Sequence, residues 1–221
     1  MKIEVLENSD AVAKRAAAII AETARAATVA RGRFVAAISG GRTPWVMLRE
    51  LAGEDVPWQT VHVIQVDERV APAGDPDLNL THVRESLLAH APLRPEQIHA
   101  MPVEATDLAA AAADYAATLR GLAGSPPVLD LVHLGLGPDG HTASLVPGDA
   151  VLAVRDKDVA LMRRRQGHSG GACAAESGNR AGRPSGGERA PVRRAVTLAG
   201  PALRLVACPA RCATGACGAR S

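Results

Sequence analysis

Short runs of apolar residues, each followed closely by glycines or charged residues, recur through the first two thirds of the chain at 34–38, 61–66 and 128–134. Each run has the length of a strand and carries apolar side chains on both faces, which is typical of strands buried in a parallel sheet. The intervening stretches predict helices, which lie at 10–30, 43–51, 79–90 and 106–120. Alternating strands and helices predict an α/β fold whose mostly parallel sheet is covered on both sides.

The N-terminal segment predicts one further strand before the first helix. Ile3 and Val5 alternate with polar residues, as in a half-buried strand. Ser9 is placed to cap the helix that follows, and Thr43 with Pro44 can cap and start the second helix. We therefore expect the chain to open with a strand and a helix.

The composition changes abruptly near residue 162. From Arg163 onward the chain has eleven arginines, no lysine and two acidic residues, so this part carries a formal charge of +9 and the preceding part −7. The same segment has ten glycines and no aromatic residue. We expect two regions: an α/β domain over 1–160, and an Arg/Gly-rich tail over 161–221 that cannot bury enough apolar surface to become fully ordered.

Two interpretations of the tail stay open at this point: a flexible basic arm, or the product of a reading-frame change in GC-rich coding DNA, which yields Arg, Gly, Ala, Pro and Cys. One apolar stretch, 195–207, is the exception, because it can form a strand on an exposed sheet edge. Gly200 and Pro201 would interrupt that strand.

Targeting signals and cysteines add little to the functional assignment. The N-terminus has no apolar signal core, and no segment approaches the roughly 18 apolar residues that span a bilayer, so we expect a cytoplasmic protein. All four cysteines lie in the tail. The gaps between Cys208, Cys212 and Cys217 lack a paired zinc knuckle, so we expect no metal site.

The first polar motif, Ser39-Gly40-Gly41-Arg42-Thr43-Pro44, joins the apolar run 34–38 to a helix. Glycines let a backbone approach a ligand closely, and a helix N-terminus offers unpaired N–H groups to an anion. Phosphate is the expected guest, with the hydroxyls of Ser39 and Thr43 as further donors. A Gly-Gly pair in this position is, however, more often a tight turn alone.

Two further polar motifs follow the other apolar runs. Asp67-Glu68-Arg69 comes directly after Val66, where an acidic pair with an arginine is either a solvated ion-pair cluster or part of a site. The stretch 134–148 is rich in glycine and contains Asp139 and His141, two residues apart. They can share a pocket as an orienting acid and a general base.

These three motifs, in this order and at these spacings, resemble the 6-phosphogluconolactonase branch of the sugar-phosphate isomerase and deaminase superfamily over residues 1–160. The resemblance implies a Rossmann-like three-layer α/β/α sandwich that lacks its C-terminal elements here. It implies hydrolysis of 6-phospho-D-glucono-1,5-lactone to 6-phosphogluconate, in the oxidative pentose phosphate pathway, without metal or nucleotide cofactor. We expect a monomer whose partner is a small sugar phosphate.

The resemblance also implies roles for individual residues. His141 would take a proton from the attacking water while Asp139 holds its ring, and Arg69 would meet the phosphate or the developing oxyanion. The remaining residues would bind the substrate, with Arg42 as an extra cation: Ser39, Gly40, Gly41, Arg42, Thr43, Asp67, Gly137 and Gly140.

Other function classes remain as alternatives. A glucosamine-6-phosphate deaminase is the nearest, although Thr142-Ala143-Ser144-Leu145 and the 67–69 triplet favour the lactonase. An inactive sugar-phosphate-binding remnant is another, because members of the family continue past the equivalent of Val154 with strands, helices and a basic residue that residues 162–221 do not match. A nucleic-acid or membrane arm rests on net charge alone, so we expect neither partner.

Overall fold

The computed structural model describes residues 3–40, 42–137, 139–163, 194–198 and 205–208, and for Arg42, Thr43, Arg163 and the last two ranges it describes the backbone only. Its helices are α1 (Ser9–Arg31), α2 (Arg42–Ala52), α3 (Asn79–Val83), which a π-helical turn (Arg84–Leu88) continues, and α4 (Leu108–Ala123). Its strands are β1 (Phe34–Ile38), β2 (Val61–Gln65), β3 (Asp67–Arg69), β4 (Ile98–His99), β5 (Leu131–Gly135), β6 (Val159–Arg163), β7 (Arg194–Leu198) and β8 (Leu205–Cys208).

The larger sheet is parallel and has the strand order β4-β2-β1-β5-β8. The central strand β1 pairs with β2 on one side, where Phe34 lies opposite Val61, and with β5 on the other, where Ala36 lies opposite Leu131. The three apolar runs of the sequence therefore form the three adjacent strands in the middle of the sheet. The predicted mostly parallel α/β fold is confirmed.

Side chains on alternate positions of these strands enter two separate cores. Phe34, Ala36 and Ile38 pack in the core that α1 and α2 cover. Val35 and Ala37 pack in a second core, to which α4 contributes Tyr115 and Leu119. Because the sheet is buried on both faces, it forms the middle layer of a three-layer α/β/α sandwich.

The ends of α1 differ from the prediction in detail. The side chain of Asn8, not Ser9, caps the helix by accepting from the backbone N–H of Ala11 at 2.9 Å, and Gly32 ends it in the left-handed conformation. The predicted strand at Ile3 and Val5 was wrong: both side chains are exposed, and no strand forms there. Two apolar residues bury too little surface to hold a strand against a sheet.

A smaller antiparallel sheet has the order β3-β7-β6. Its central strand, β7, places Thr197 opposite Asp67 of β3 and opposite Ala160 of β6. The apolar stretch predicted as one interrupted edge strand is thus divided, because β8 joins the larger sheet beside β5 instead. The rest of the predicted tail, at 164–193, 199–204 and 209–221, lies outside the described residues.

The other helices predicted in the body of the chain form close to their expected positions, although α2 begins at Arg42, one residue before the predicted cap Thr43. The helix expected at 79–90 forms as α3 and its π-helical continuation, and the one expected at 106–120 forms as α4, with Asp107 as its N-cap. Among the described helices, none is long and apolar enough to cross a membrane.

Candidate active site

All three polar motifs lie at the carboxyl ends of the central strands. One follows β1, one follows β2 and one follows β5, and these strands are neighbours in the sheet. The chain passes from β1 to β2 on one side and later returns to β5 on the other, so the order of strands reverses beside β1. In open α/β sheets such a reversal opens a crevice for a ligand.

The first motif leaves β1 as a buried turn. Ser39 is buried, and Gly40 lies against the side chain of Asn79, so that a Cβ on residue 40 would overlap the amide. The helix α2 begins at Arg42. Gly41 lies outside the described residues, and the side chains of Arg42 and Thr43 are not described, so their contacts with phosphate stay predictions.

The second motif separates into two roles. Glu68 is fully buried, and its carboxylate accepts from the side chain of Gln65 at 2.6 Å. It also accepts from three backbone N–H groups, those of Arg69 at 2.9 Å and of Asn79 and Leu80 at 2.8 Å each. Glu68 therefore ties β3 to the first turn of α3, and these contacts give it a structural function.

Asn79 connects the other two members of that motif. Its side chain is buried, and its Nδ2 donates to the backbone oxygen of Asp67 at 2.8 Å and to the carboxylate Oδ1 of Asp67 at 3.2 Å. Its Oδ1 accepts from the guanidinium of Arg69. In the sequence, Asn79 is only the first residue of the predicted helix 79–90, and no local pattern shows that its side chain meets those of residues 67 and 69.

The third motif folds into a tight glycine-rich loop after β5. The backbone N–H of Gly137 donates to the carbonyl of His141 at 2.8 Å, and that of Gly140 donates to the carbonyl of Gly137 at 3.0 Å. Gly140 has a φ of +85°, Ala143 a φ of +50° and Gly148 a φ of +80°, so three described residues of this motif lie in the left-handed region. This backbone brings the side chains of Asp139 and His141 together.

His141 is held at one nitrogen. The carboxylate of Asp139 meets Nδ1 of the imidazole and also accepts from the backbone N–H of His141 at 3.3 Å. These hydrogen bonds from His141, the side-chain one above all, hold the pKa of Asp139 below its ordinary value. Because Nδ1 faces Asp139, the other nitrogen, Nε2, points away from the carboxylate and is the one suited to proton transfer.

A hydrogen bond joins the glycine-rich loop to the second motif. The hydroxyl of Ser144 donates to Oδ2 of Asp67 at 2.5 Å. Ser144, Asp67, Asn79 and Arg69 thus form one hydrogen-bonded chain of side chains, which we call the polar chain. Because Gly40 packs on Asn79, the polar chain brings all three motifs into contact.

The residues of this site lie in the part of the chain that matches a known protein family. The chain matches the family described as glucosamine-6-phosphate isomerases/6-phosphogluconolactonase over residues 7–170. It belongs to this family. Among curated members, the 6-phosphogluconolactonase of Nostoc sp. is 36% identical over 70% of this chain and 66% of its own length. That of Synechocystis sp. is 36% identical over 71% and 67%. The chain therefore spans about two thirds of the length of these family members.

Solved structures of the family show the same fold. A 6-phosphogluconolactonase from Trypanosoma cruzi has a TM-score of 0.67 at 25% identity, covering 89% of this chain and 74% of that one. A monomeric glucosamine-6-phosphate deaminase also has a TM-score of 0.67, at 18% identity, covering 90% of this chain and 76% of that one. Because both branches of the family share the fold, the choice between their chemistries depends on the site residues.

Proposed function

We propose that the chain hydrolyses 6-phospho-D-glucono-1,5-lactone to 6-phosphogluconate. The observation that carries this proposal is the Asp139–His141 pair on a glycine-rich loop at the reversal of strand order. An imidazole oriented by a carboxylate is suited to take a proton from water near neutral pH. The names of the curated family members, 6-phosphogluconolactonase, support the same substrate.

The proposed reaction opens the lactone ring in two steps. Water adds to the lactone carbonyl and gives its proton to Nε2 of His141, while the carboxylate of Asp139, which contacts Nδ1, stabilises the imidazolium. The bond between the carbonyl carbon and the ring oxygen then breaks, and the imidazolium returns the proton to the departing oxygen. A cation beside the carbonyl oxygen would stabilise the charge that develops there.

Phosphate recognition is the second part of the proposal. The turn after β1, with Ser39 and Gly40, leads into the N-terminus of α2, where unpaired N–H groups favour an anion. The guanidinium of Arg69 lies on the polar chain and is proposed to meet the phosphate or the developing oxyanion. The other proposed substrate contacts come from Gly41, Arg42, Thr43, Asp67, Gly137 and Gly140.

The decisive experiment measures acid release from the phosphorylated lactone, corrected for spontaneous opening. We expect His141→Gln to lower kcat by roughly 10²- to 10⁴-fold, while His90→Gln, an exposed control, changes nothing. A lactone without the 6-phosphate should react far more slowly. Full activity of His141→Gln, or equal rates with both lactones, would contradict the proposal.

The same samples test the alternatives. Ammonia release from glucosamine 6-phosphate would support the deaminase, whose fold the chain shares. Binding of 6-phosphogluconate without lactone opening would support an inactive sugar-phosphate-binding protein. A monomer acting in the cytoplasm belongs to the same proposal, and size-exclusion chromatography with light scattering tests the first half of it.

A further inference from the structure

We propose that Asn79 is a positioning residue that fixes the guanidinium of Arg69 while leaving its positive charge available to the substrate. The inference rests on the proposed function, in which Arg69 binds the phosphate or the developing oxyanion of the substrate. It concerns a residue that never needs to touch the substrate: Asn79 is buried and reaches the site through Arg69.

The amide of Asn79 has a defined orientation. Its Nδ2 donates twice to Asp67, once to the backbone oxygen and once to the carboxylate, so its Oδ1 must face the other way, toward Arg69. At 2% exposure the amide has almost no contact with solvent that could replace these partners. The hydrogen bonds to Asp67 therefore fix the amide so that its oxygen, the acceptor, faces the guanidinium of Arg69.

The backbone and the side chain of Asn79 are both held by neighbouring residues. Its backbone N–H donates to the buried carboxylate of Glu68 at 2.8 Å, and the same carboxylate binds Gln65 and Leu80. On the opposite side, the missing side chain of Gly40 leaves the space that the amide fills. A long and flexible arginine gains a fixed acceptor in this way, which lowers the entropy that it loses when it binds an anion.

The residue type matters because of charge. A carboxylate at position 79 would neutralise Arg69 and would repel Asp67, whose carboxylate oxygen lies 3.2 Å from Nδ2. An amide donates to the carboxylate and accepts from the guanidinium without carrying charge. Asparagine therefore holds the cation in place and keeps it attractive to phosphate or to an oxyanion, as preorganised electrostatic stabilisation requires.

A double-mutant cycle separates positioning from a purely structural role. Wild type, Asn79→Ala, Arg69→Ala and the double variant are compared by kcat/KM for the phosphorylated lactone. We expect Asn79→Ala to lower kcat/KM by roughly 10- to 100-fold, and to change it less than about threefold once Arg69 is already alanine. If Asn79→Ala lowers kcat/KM by the same factor whether residue 69 is arginine or alanine, the proposal is overturned.

A second variant keeps the test valid if alanine at this buried position prevents folding. Asn79→Asp preserves size and the acceptor for Arg69 but places two carboxylates side by side, so one of them binds a proton more tightly. We expect its kcat/KM to rise with falling pH relative to wild type, because protonation removes the excess charge. A pH profile parallel to that of wild type would count against the proposal. Asn8→Ala, which removes the exposed cap of α1, is the matched asparagine control.

A direct measurement does not depend on turnover. In the ¹⁵N-labelled full chain, the Nε–H signal of Arg69 is assigned by its loss in Arg69→Ala, and its heteronuclear NOE reports side-chain motion. We expect a rigid Arg69 in wild type and in Asn8→Ala, and a mobile one in Asn79→Ala. Equal rigidity in all three would overturn the positioning role. If the wild-type chain does not open the lactone, the proposed function fails, yet this measurement still decides whether Asn79 holds Arg69.

Discussion

Gly137 lies against the imidazole ring of His141, so closely that a Cβ on residue 137 would overlap the ring and approach the carboxylate of Asp139. The sequence had suggested this glycine as a substrate contact, which stays a prediction. The structure adds a separate reason for a glycine there: the imidazole of His141 fills the space that a side chain of residue 137 would need. The placement of the proposed base thus depends on the absence of a side chain four residues earlier.

Gly137→Ala is expected to displace the imidazole and to lower kcat for lactone opening by roughly tenfold or more, because a base moved by a fraction of an ångström loses its alignment with water. The fold should be retained. Gly135→Ala is the matched control, since nothing lies within 4 Å of a Cβ at that position. Rates and circular dichroism of both variants check this, and equal rates would show that the ring tolerates the added methyl group.

Glu68→Gln is expected to lower the free energy of unfolding by about 2 kcal/mol or more, because an amide NH₂ would face backbone N–H donors that now meet a carboxylate. Four hydrogen bonds to one buried side chain are affected. Urea unfolding measures the change, with the exposed Glu96→Gln as control. A free energy of unfolding within about 0.5 kcal/mol of the wild-type value would contradict the structural role assigned to Glu68.

The buried His133 is expected to make the fold sensitive to acid. Burial lowers the pKa of His133 to about 4, whereas the pKa of a histidine in an unfolded chain is about 6.5. Between these values the unfolded chain binds a proton that the folded chain does not. Stability therefore falls as the pH drops from about 6.5 to about 4 and changes no further below that through this group.

His133→Leu should reduce this pH dependence, as measured by urea unfolding at pH 7, 6 and 5. Burial also lowers the pKa values of His62 and His99, so part of the dependence should remain. An exposed control, His90→Leu, should keep the slope of wild type. A slope unchanged in His133→Leu would mean that this histidine is protonated equally in both states.

Limited trypsin digestion tests the proposed division of the chain at residue 160. The arginines between 164 and 193 are expected to be cut first, because that segment is rich in Arg and Gly and has no aromatic residue. The structure adds that β7 and β8 pair with strands of the body, so the C-terminal fragment should remain bound after cleavage. Mass spectrometry after size exclusion checks both points. A segment as resistant as the body would contradict the division.

Much of the central sheet could be predicted from the sequence because its three middle strands carry apolar residues on both faces. The length and the apolar pattern of three runs predict β1, β2 and β5, and their alternation with helices predicts the parallel arrangement. The three-residue strand β3 could not be read in this way, since Asp67, Glu68 and Arg69 are all charged. Its strand character comes from pairing with β7, which no local pattern reveals.

The candidate site shows the same limit. The proximity of Asp139 and His141 follows from their spacing, and the structure brings them into contact. The role of Asn79 does not follow from spacing, because its partners Asp67 and Arg69 lie ten or twelve positions away and reach it only when β3 and α3 are packed together. Side-chain networks of this kind depend on tertiary structure, which a single sequence shows only indirectly.

The pairing of β3 with β7 also bears on the order in which the protein matures during synthesis. Asp67 finds its strand partner, Thr197, only after about 130 further residues have left the ribosome. The neighbouring strands β1, β2 and β4 can pair long before that, since all of them precede residue 100. The strand that carries Arg69 therefore gains its sheet partner only when synthesis is nearly complete, whereas its contacts with α3 through Glu68 and Asn79 can form soon after residue 80 has been made.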